Sequence, residues 1–470
     1  MTRSGFGIPA TRGGRPFGAD AVDDGRTIAA IATAPGRSAI AMVRVSGPGV
    51  RDIARVLLHP VTLATRRATR CILHDAGSTG GTVDEVVATL YVAPHSFTGE
   101  DVLELSTHGG LLIPSAVLAA TLRAGARVAE PGEFTRRAVL NGKLDLLQAE
   151  AVGDLIDARS SVAHRTALRQ LDGGLSSRIE ALRQGILGLE ALLAYDIDFP
   201  EEDDGPIPHA RIADAAAALI ASLEALLATA ETGTLVHDGA LVVLAGAPNV
   251  GKSSLFNALL GEARAIVTDV PGTTRDAIEA VLDLPEWPLR LVDTAGIRDT
   301  TDVIERLGIE ASSRYLGQAA VVLACGDDGP SIARVGGVVR AHTEAAVIRV
   351  RTKWDLVTNK DKTDADVGVS AHTGEGLRAL LTLVEKRLTE RHGVPMTDAP
   401  GLTRVRHHTA VTAAVLELQA FSVAWRDDAL PASVAAIHVR AAADALADLI
   451  GIVRVDDVLD AVFRRFCVGK

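Results

Sequence analysis

The sequence predicts a multidomain protein with three parts. An α+β domain lies at the N-terminus, a discontinuous all-α helical domain is assembled from two chain segments, and an α/β domain is inserted between those segments. Three observations predict this. Short β-rich runs alternate with turn clusters over residues 27–147. Apolar-periodic runs with few breakers occupy residues 148–239 and return in 389–470. Between them, residues 240–388 alternate apolar strands, helices and glycine-rich turns, the βαβ pattern of a parallel sheet. At about 150 residues per domain, a chain of 470 residues has room for three cores.

Taken in order, residues 1–26 hold Arg, Gly and Asp but no apolar segment; a flexible tail is expected there, not a signal peptide. Strands are expected at Ile28–Ala32, Ile40–Val45, Val83–Val92 and Val102–Ser106, a helix at Leu111–Arg123, and a hairpin-type loop at Gly77–Gly81. Ala149–Leu193 reads as helix and meets the acidic run Asp196–Asp204. Pro208 then opens a second amphipathic run, Ala210–Glu231. The tail, Leu402–Lys470, reads as helical again and closes with the Arg-rich run Phe463–Lys470. Packing both helical segments into one bundle is the simplest arrangement.

Charge and composition restrict the function. The formal net charge is −11, and residues 148–239 carry 16 acidic against 6 basic groups. A polyanion is therefore not held by general phosphate neutralisation over the whole surface. Local basic groups remain, in Arg66, Arg67 and Arg70, in Arg136 and Arg137, and in Arg464 and Arg465. The chain is 47% apolar and 23% charged, as globular proteins are. Unbroken apolar runs such as Ala240–Pro248 and Ala319–Cys325 fall short of the ~18 residues of a membrane helix. The three cysteines, Cys71, Cys325 and Cys467, form no CxxC pair, which fits a reducing cytoplasm without a disulfide framework or cysteine-rich zinc site. Cys71 and Cys325 are expected to be structural, and His407 and His408, at the start of a helix without a ligand cluster, to be solvated.

The chemistry is concentrated in the inserted domain. The strand Leu241–Ala245 runs into Gly246-Ala247-Pro248-Asn249-Val250-Gly251-Lys252-Ser253, followed by Ser254 and an apolar-periodic helix. This is G-x4-G-K-S in its strand–loop–helix setting. Glycines let backbone N–H groups converge on phosphate oxygens, Lys252 reaches the β- and γ-phosphates, and the Ser253 hydroxyl ligates Mg²⁺. A candidate Mg²⁺-sensing loop follows, Thr268, Asp269, Val270, Pro271, Gly272, Thr273 and Thr274, with Thr274 a second magnesium ligand. Asp293, Thr294, Ala295 and Gly296 end a strand, where Asp293 would hold the metal through water and Gly296 would contact the γ-phosphate. Thr352, Lys353, Trp354 and Asp355 follow the strand Ala346–Val350, and Ser370 and Ala371 follow Val367–Val369. A carboxylate at Asp355 accepts from guanine N1–H and the 2-amino group, neither of which adenine offers, so the expected nucleotide is GTP. Two departures stand out. Thr352 occupies the place where GTPases usually carry Asn. Ile297 occupies the place of the water-orienting Gln in Ras-like enzymes. Asn249 and Glu305 are the candidates to replace that Gln, as against a loop-capping amide and a solvated helix glutamate.

These residues resemble the bacterial tRNA-modification GTPases known as the MnmE or TrmE family, over about Thr27–Lys470. The resemblance rests on Gly246–Ser254, Ile266–Asp276, Asp293–Arg298 and Ile304–Glu310. Outside that domain it rests on Phe97–Glu104 with His108-Gly109-Gly110, Pro131–Ala138, Asn141–Leu146 and the terminal Phe466-Cys467-Val468-Gly469-Lys470. It implies an N-terminal folate-binding and dimerising domain, a two-segment helical domain and an inserted Ras-like P-loop G domain. It implies that Asn249, Thr268, Val270 and Thr273 hold a potassium ion where an arginine finger would sit, across a G-domain dimer. Glu305 then matches the family's water-orienting acid. It assigns Arg44, Glu104, Lys143 and Lys470 to a 5-formyltetrahydrofolate site and favours a functional Cys467, nucleophile or not. The implied reaction adds a carboxymethylaminomethyl or aminomethyl group at C5 of the wobble uridine of tRNA. The implied partner is a flavin-dependent protein of the MnmG or GidA family, which brings FAD and NADH. Two alternatives share the G motifs: a regulatory GTPase of the Era or Der type, and a folate-dependent methyltransferase with an attached GTPase.

Overall fold

The computed structural model describes residues 25–58, 62–75, 77, 81–198, 207–266, 278–293, 315–358, 364–395, 401–426, 432–451, 462–463, 466 and 468–469. The chain divides into two compact units, residues 1–144 with 457–470, and residues 145–456.

The first unit is built on a six-stranded sheet of order β3-β4-β5-β2-β1-β6. Its strands are β1 (Ile28–Ile31), β2 (Ile40–Ser46), β3 (Thr69–His74), β4 (Thr82–Tyr91), β5 (Val102–His108) and β6 (Arg127–Val128). Pairing is antiparallel except for β1 with β6. Side chains alternate across the sheet. Val43, Val45, Leu73, Val86, Leu103 and Leu105 therefore meet Val50, Ile53 and Leu57 of α1 (Val50–Leu57) and Val117 and Ala120 of α2 (Ile113–Arg123) in one core. The other face carries Met42, Arg44, Glu104 and Ser106, with Ile40, Ile72 and Val87 exposed. A third helix, α3 (Glu133–Leu140), seats Phe134 against Ile28 and Ala30.

The tail is helical over Val405–Arg426 and Ala432–Ile450, as expected, but its end departs from the bundle: the described residues among 457–470 belong to the first unit. Val468 bridges Pro131 in antiparallel fashion, Phe463 is buried, and Gly469 lies so close to Ile31 that a Cβ there would be 2.6 Å from its carbonyl oxygen.

In the second unit, the expected helix over Ala149–Leu193 is three helices: α4 (Leu146–Asp157), α5 (Ser161–Leu171) and α6 (Gly174–Asp198). The breaks have local causes. Asp145 and Gln148 form a capping box at the start of α4, the Ser160 hydroxyl caps α5 at the Ala163 N–H, and Gly173 takes φ +84° before α6. The second run is likewise two helices, α7 (His209–Leu227) and α8 (Ala230–Asp238). Residues 209–238 are long and apolar enough by composition to cross a membrane, yet Ile212, Ala216, Leu223 and Leu226 pack into the helical core. That core joins α6 and α7 to α12 (Val405–Arg426) and α13 (Ala432–Ile450), through residues such as Leu189, Leu193, Leu418, Phe421, Val439 and Leu446.

His407 corrects the expectation of a solvated histidine. It is 1% exposed, and its Nε2 lies 2.7 Å from Glu150 Oε2 on α4. Arg406 forks onto both Glu150 oxygens at 3.0 Å, and Arg404 pairs with Asp154. Burial alone would raise the Glu150 carboxyl, but the His407 hydrogen bond and the Arg406 charge outweigh it and hold it at about 2. Desolvation pushes His407 below its usual range despite the carboxylate. It is therefore neutral, donating from Nε2, while buried Nδ1 has no acceptor among the described residues. His408 is exposed, as expected.

The rest of the unit is a seven-stranded sheet, order β13-β12-β11-β7-β10-β9-β8. The strands are β7 (Ala240–Gly246), β8 (Arg264–Ile266), β9 (Ile278–Asp283), β10 (Pro288–Asp293), β11 (Val321–Gly326), β12 (Ala346–Arg351) and β13 (Val367–Gly368). The strands from β13 to β10 are parallel, as expected. The β8, β9 and β10 edge is antiparallel, because β9 and β10 form a hairpin with no intervening helix. Helices α9 (Lys252–Glu262), α10 (Gly329–Arg340) and α11 (Leu377–His392) lie against it.

Candidate functional site

The phosphate side of the candidate site forms where β7 stops. β7 is a central strand paired in parallel with both β10 and β11, so its residues Leu241–Leu244 are buried and the loop after it is rigidly placed. Gly246 is required by proximity, since a Cβ there would sit 2.5 Å from the Cys325 carbonyl oxygen. Two residues of the loop take left-handed backbone, Asn249 at φ +62° and Gly251 at φ +97°. Lys252, 5% exposed at the first turn of α9, donates from Nζ to the Gly246 and Ala247 carbonyls at 2.9 and 2.8 Å. The ammonium is thus curled over the loop's own cradle. Ser253 and Ser254 are exposed beside it, at the positive end of the helix. Asp293 ends β10, 1% exposed, in register with Leu244 of β7.

The base side is built from the next strands. Thr352 follows β12, 3% exposed; its N–H donates to the Gly326 carbonyl at 2.9 Å, and its hydroxyl lies 2.5 Å from the Val250 carbonyl oxygen and 3.1 Å from that of Gly326. Lys353, at φ +53°, reaches Asp327 at 3.1 Å. Trp354–Leu356 is a single 3₁₀ turn that leaves Asp355 exposed. Trp354 donates its N–H to Val369, and its ring lies against Gly368, where a Cβ would be 2.3 Å away. Ser370 is fully buried, and its hydroxyl accepts the Thr373 N–H at 3.1 Å. The loop after β7, Asp293, the Gly326–Asp327 turn, Thr352–Asp355 and Ser370–Ala371 all lie beyond the C-terminal ends of the parallel strands, where open α/β sheets bind ligands. Asp327, absent from the sequence reading, has only a run-on from an apolar strand as its signal.

This arrangement suits a nucleoside polyphosphate. Backbone N–H groups and Lys252 would meet phosphate, Asp355 would meet the base edge, and the Ser253 hydroxyl would offer Mg²⁺ the hard oxygen it needs, with substrate phosphates as co-ligands. The expected positions Thr268, Asp269, Val270, Pro271, Gly272, Thr273, Thr274, Thr294, Ala295, Gly296 and Glu305 lie outside the described residues, as do Cys467 and Lys470. Among the described residues no cluster of His, Cys, Asp and Glu could hold a metal by itself. Cys325 is fully buried behind the loop, and burial pushes its thiol up to about 12, so it is inert.

A second constellation lies on the face of the first unit's sheet opposite α1 and α2. Arg44 and Glu104 are directly opposite across β2 and β5, bonded at 2.8 and 3.1 Å, and both bonds fall on Oε1. The Arg44 guanidinium also sits 5.6 Å from the Phe97 ring centroid and 5.9 Å from that of Phe134. Phe97 was not expected at this place; its signal was its position in the Phe97–Glu104 string. Lys143 is exposed, and its stem lies beside Gly99, two residues beyond Phe97. An aromatic ring, a half-buried carboxylate and a lysine fit the stacking surface, donor edge and anionic tail of a pterin glutamate.

Two family models match the chain: the TrmE N-terminus of GTP-binding proteins over residues 27–143, and the MnmE helical domain over residues 146–467. The chain belongs to the MnmE family. The tRNA modification GTPase MnmE of Aquifex aeolicus is 41% identical over 91% of this chain and 96% of its own length. That of Azoarcus sp. is 44% identical over 91% and 94%, and that of Moorella thermoacetica 41% over 91% and 96%. A member of this family is thus present over nearly the full length of its relatives.

Proposed function

We propose that this chain hydrolyses GTP and couples hydrolysis to tRNA modification, adding a carboxymethylaminomethyl or aminomethyl group at C5 of the wobble uridine. The observation that carries the reading is the convergence of Lys252, Ser253, Asp293, Thr352 and Asp355 beyond one edge of a parallel sheet, in a chain matched over 91% of its length by GTPase relatives named for tRNA modification. In this reading residues 27–147 bind folate and dimerise, 148–239 and 389–470 form the helical domain, with residues 457–470 returning to the first unit, and 240–388 is the G domain.

The chain's own residues divide the work. The loop after β7 and Lys252 neutralise the β- and γ-phosphates. Ser253 and Thr274 hold Mg²⁺, and Asp355 selects guanine. Glu305 orients water in place of a side chain that Ile297 lacks. Asn249, with Thr268, Val270 and Thr273, holds K⁺, whose charge stands in for an arginine finger when G domains of a homodimer pair. Arg44, Glu104, Lys143 and Lys470 hold 5-formyltetrahydrofolate, which supplies the one-carbon unit. The flavin-dependent MnmG/GidA-family partner brings FAD and NADH in the cytoplasm, and Cys467 completes the tail motif. The test is nucleoside analysis of tRNA from cells lacking the gene. Loss of the C5 modification is expected, and an unchanged wobble uridine overturns the reading. GTPase rates in KCl and NaCl test the ion: equal rates, or an Asn249→Ala variant that keeps potassium stimulation, remove it.

A further inference from the structure

Thr352 does two things that an asparagine could do at once, but it has one proton with which to do them. A hydroxyl carries a single O–H donor, whereas a carboxamide carries two N–H donors and an acceptor. In this structure the Thr352 oxygen lies 2.5 Å from the Val250 carbonyl oxygen and 3.1 Å from the Gly326 carbonyl oxygen. Both neighbours are acceptors only, so the proton is committed to the backbone whichever it takes. The side chain is 3% exposed, and its own N–H is tied to Gly326 at 2.9 Å. It therefore cannot swing out without breaking the link between the loop after β12 and the loop after β7.

We propose that Thr352 is a latch between the base-side and phosphate-side loops, and that this protein leaves guanine N7 unread. The inference rests on the GTP reading above and deepens it. Guanine N7 is an acceptor and needs a donor. Asp355 offers none when ionised, and the Thr352 proton is held by the carbonyls. Guanine selection then falls on the N1–H and 2-amino edge alone. The loop after β7 keeps its place through the Thr352–Val250 bond, so phosphate binding is coupled to the base loop without a contact to the imidazole ring of the base.

The experiment is competition of GDP, 7-deaza-GDP and ADP against a fluorescent GDP on the full chain with Mg²⁺. The 7-deaza analogue replaces N7 by C–H and keeps the N1–H and 2-amino edge. The unmodified protein is expected to bind GDP and 7-deaza-GDP within twofold of each other, and both far more tightly than ADP. Thr352→Asn is expected to favour GDP over the analogue by about tenfold, the size of one net hydrogen bond. Thr352→Val removes the latch and should weaken both guanine ligands equally. Preference of the unmodified protein for GDP over 7-deaza-GDP by fivefold or more overturns the inference while leaving GTP as substrate. Equal binding of ADP and GDP overturns the GTP reading itself, and this inference with it. The comparison within the unmodified protein stands even where a variant fails to fold.

Discussion

Replacing Glu150 by Gln should loosen the helical core by about 3 kcal/mol. Glu150 is 3% exposed and accepts two bonds from Arg406 at 3.0 Å and one from His407 at 2.7 Å. Its carboxyl stands at about 2 against an ordinary 4.5, and 1.36 kcal/mol per pH unit converts that difference to ~3 kcal/mol. Removing one partner of a buried ion pair costs ~3–5 kcal/mol by mutation, which agrees. A glutamine also turns an N–H₂ toward Arg406 or His407, donor against donor. Between pH 4.5 and 2 the unfolded chain binds the proton and the folded chain does not. The contribution is therefore complete above about pH 5 and is lost as pH falls toward 2. His407 acts in the same direction at higher pH: neutral in the fold with a depressed pKa, it costs stability as pH falls below 6.5.

A chain with several cores does not unfold in one step, so a single melting temperature would mix them. Amide hydrogen exchange over Leu146–Asp157 and Val405–Arg426 reads the affected helices directly. In Glu150→Gln at pH 7, their slowest amides should exchange about 100-fold faster, the equivalent of ~3 kcal/mol. Between pH 5 and pH 3 the opening free energy of the unmodified protein should fall by ~2 kcal/mol more than that of the variant. Acceleration of less than tenfold, or parallel pH dependence of the two proteins, refutes the assignment of the charge to Glu150.

Asp355→Asn should move preference from GTP to xanthosine triphosphate by about 100-fold, because the amide meets the xanthine C2 carbonyl with a donor and guanine's 2-amino group with the wrong partner; competition binding checks it. Thr135→Val should stabilise the first unit by ~1 kcal/mol, since the Thr135 hydroxyl is fully buried with no partner among the described residues; a shift to lower denaturant midpoint would count against it. Cys71 and Cys325 should resist a thiol reagent at pH 8 until the chain is unfolded, both being buried with thiols pushed up by desolvation; mass mapping of labelled peptides reads this.

The loops after β7 and β12 were legible because each depends on local sequence: a glycine-rich turn after an apolar strand and a Lys-x-Asp turn after another, with strands between them that are buried almost throughout. Helical breaks were less legible. Ser160 and Gly173 are ordinary punctuation, but their neighbours keep a three- and four-residue apolar spacing across both breaks, so periodicity alone reads one helix. His407 could not be read locally at all. Its burial is decided by Glu150, 257 positions earlier in the chain, and by two arginines on its own helix or next to it. The β9–β10 hairpin was hidden for a similar reason, as a strand following a loop carries no mark of its direction.

The strings that pointed to the family outside the G domain have a physical reason that separates their residues into two groups. Arg137, 1% exposed, donates to Glu100 at 3.1 and 3.2 Å, to Glu133 at 3.0 Å and to the Arg26 carbonyl at 2.8 Å. Glu133 also takes Arg127 at 2.6 and 2.8 Å, and Glu100 takes the Ser46 hydroxyl, which meets Thr98 at 2.7 Å. Asn141 closes the circuit on the Thr98 carbonyl at 2.7 Å. The Phe97–Glu104, Pro131–Ala138 and Asn141–Leu146 strings thus converge in one polar network, where loss of Arg137, Glu133 or Glu100 leaves another charge unpaired in low dielectric. Such residues hold the fold of the first unit and are not available to a ligand. What the same strings leave facing outward is a shorter set: Phe97 and Glu104 with Arg44 between them, and Lys143 beyond Gly99. A folate site, where it is tested by substitution, is to be sought in that set and not in Arg137 or Glu133, whose replacement would abolish binding by unfolding the domain that carries it.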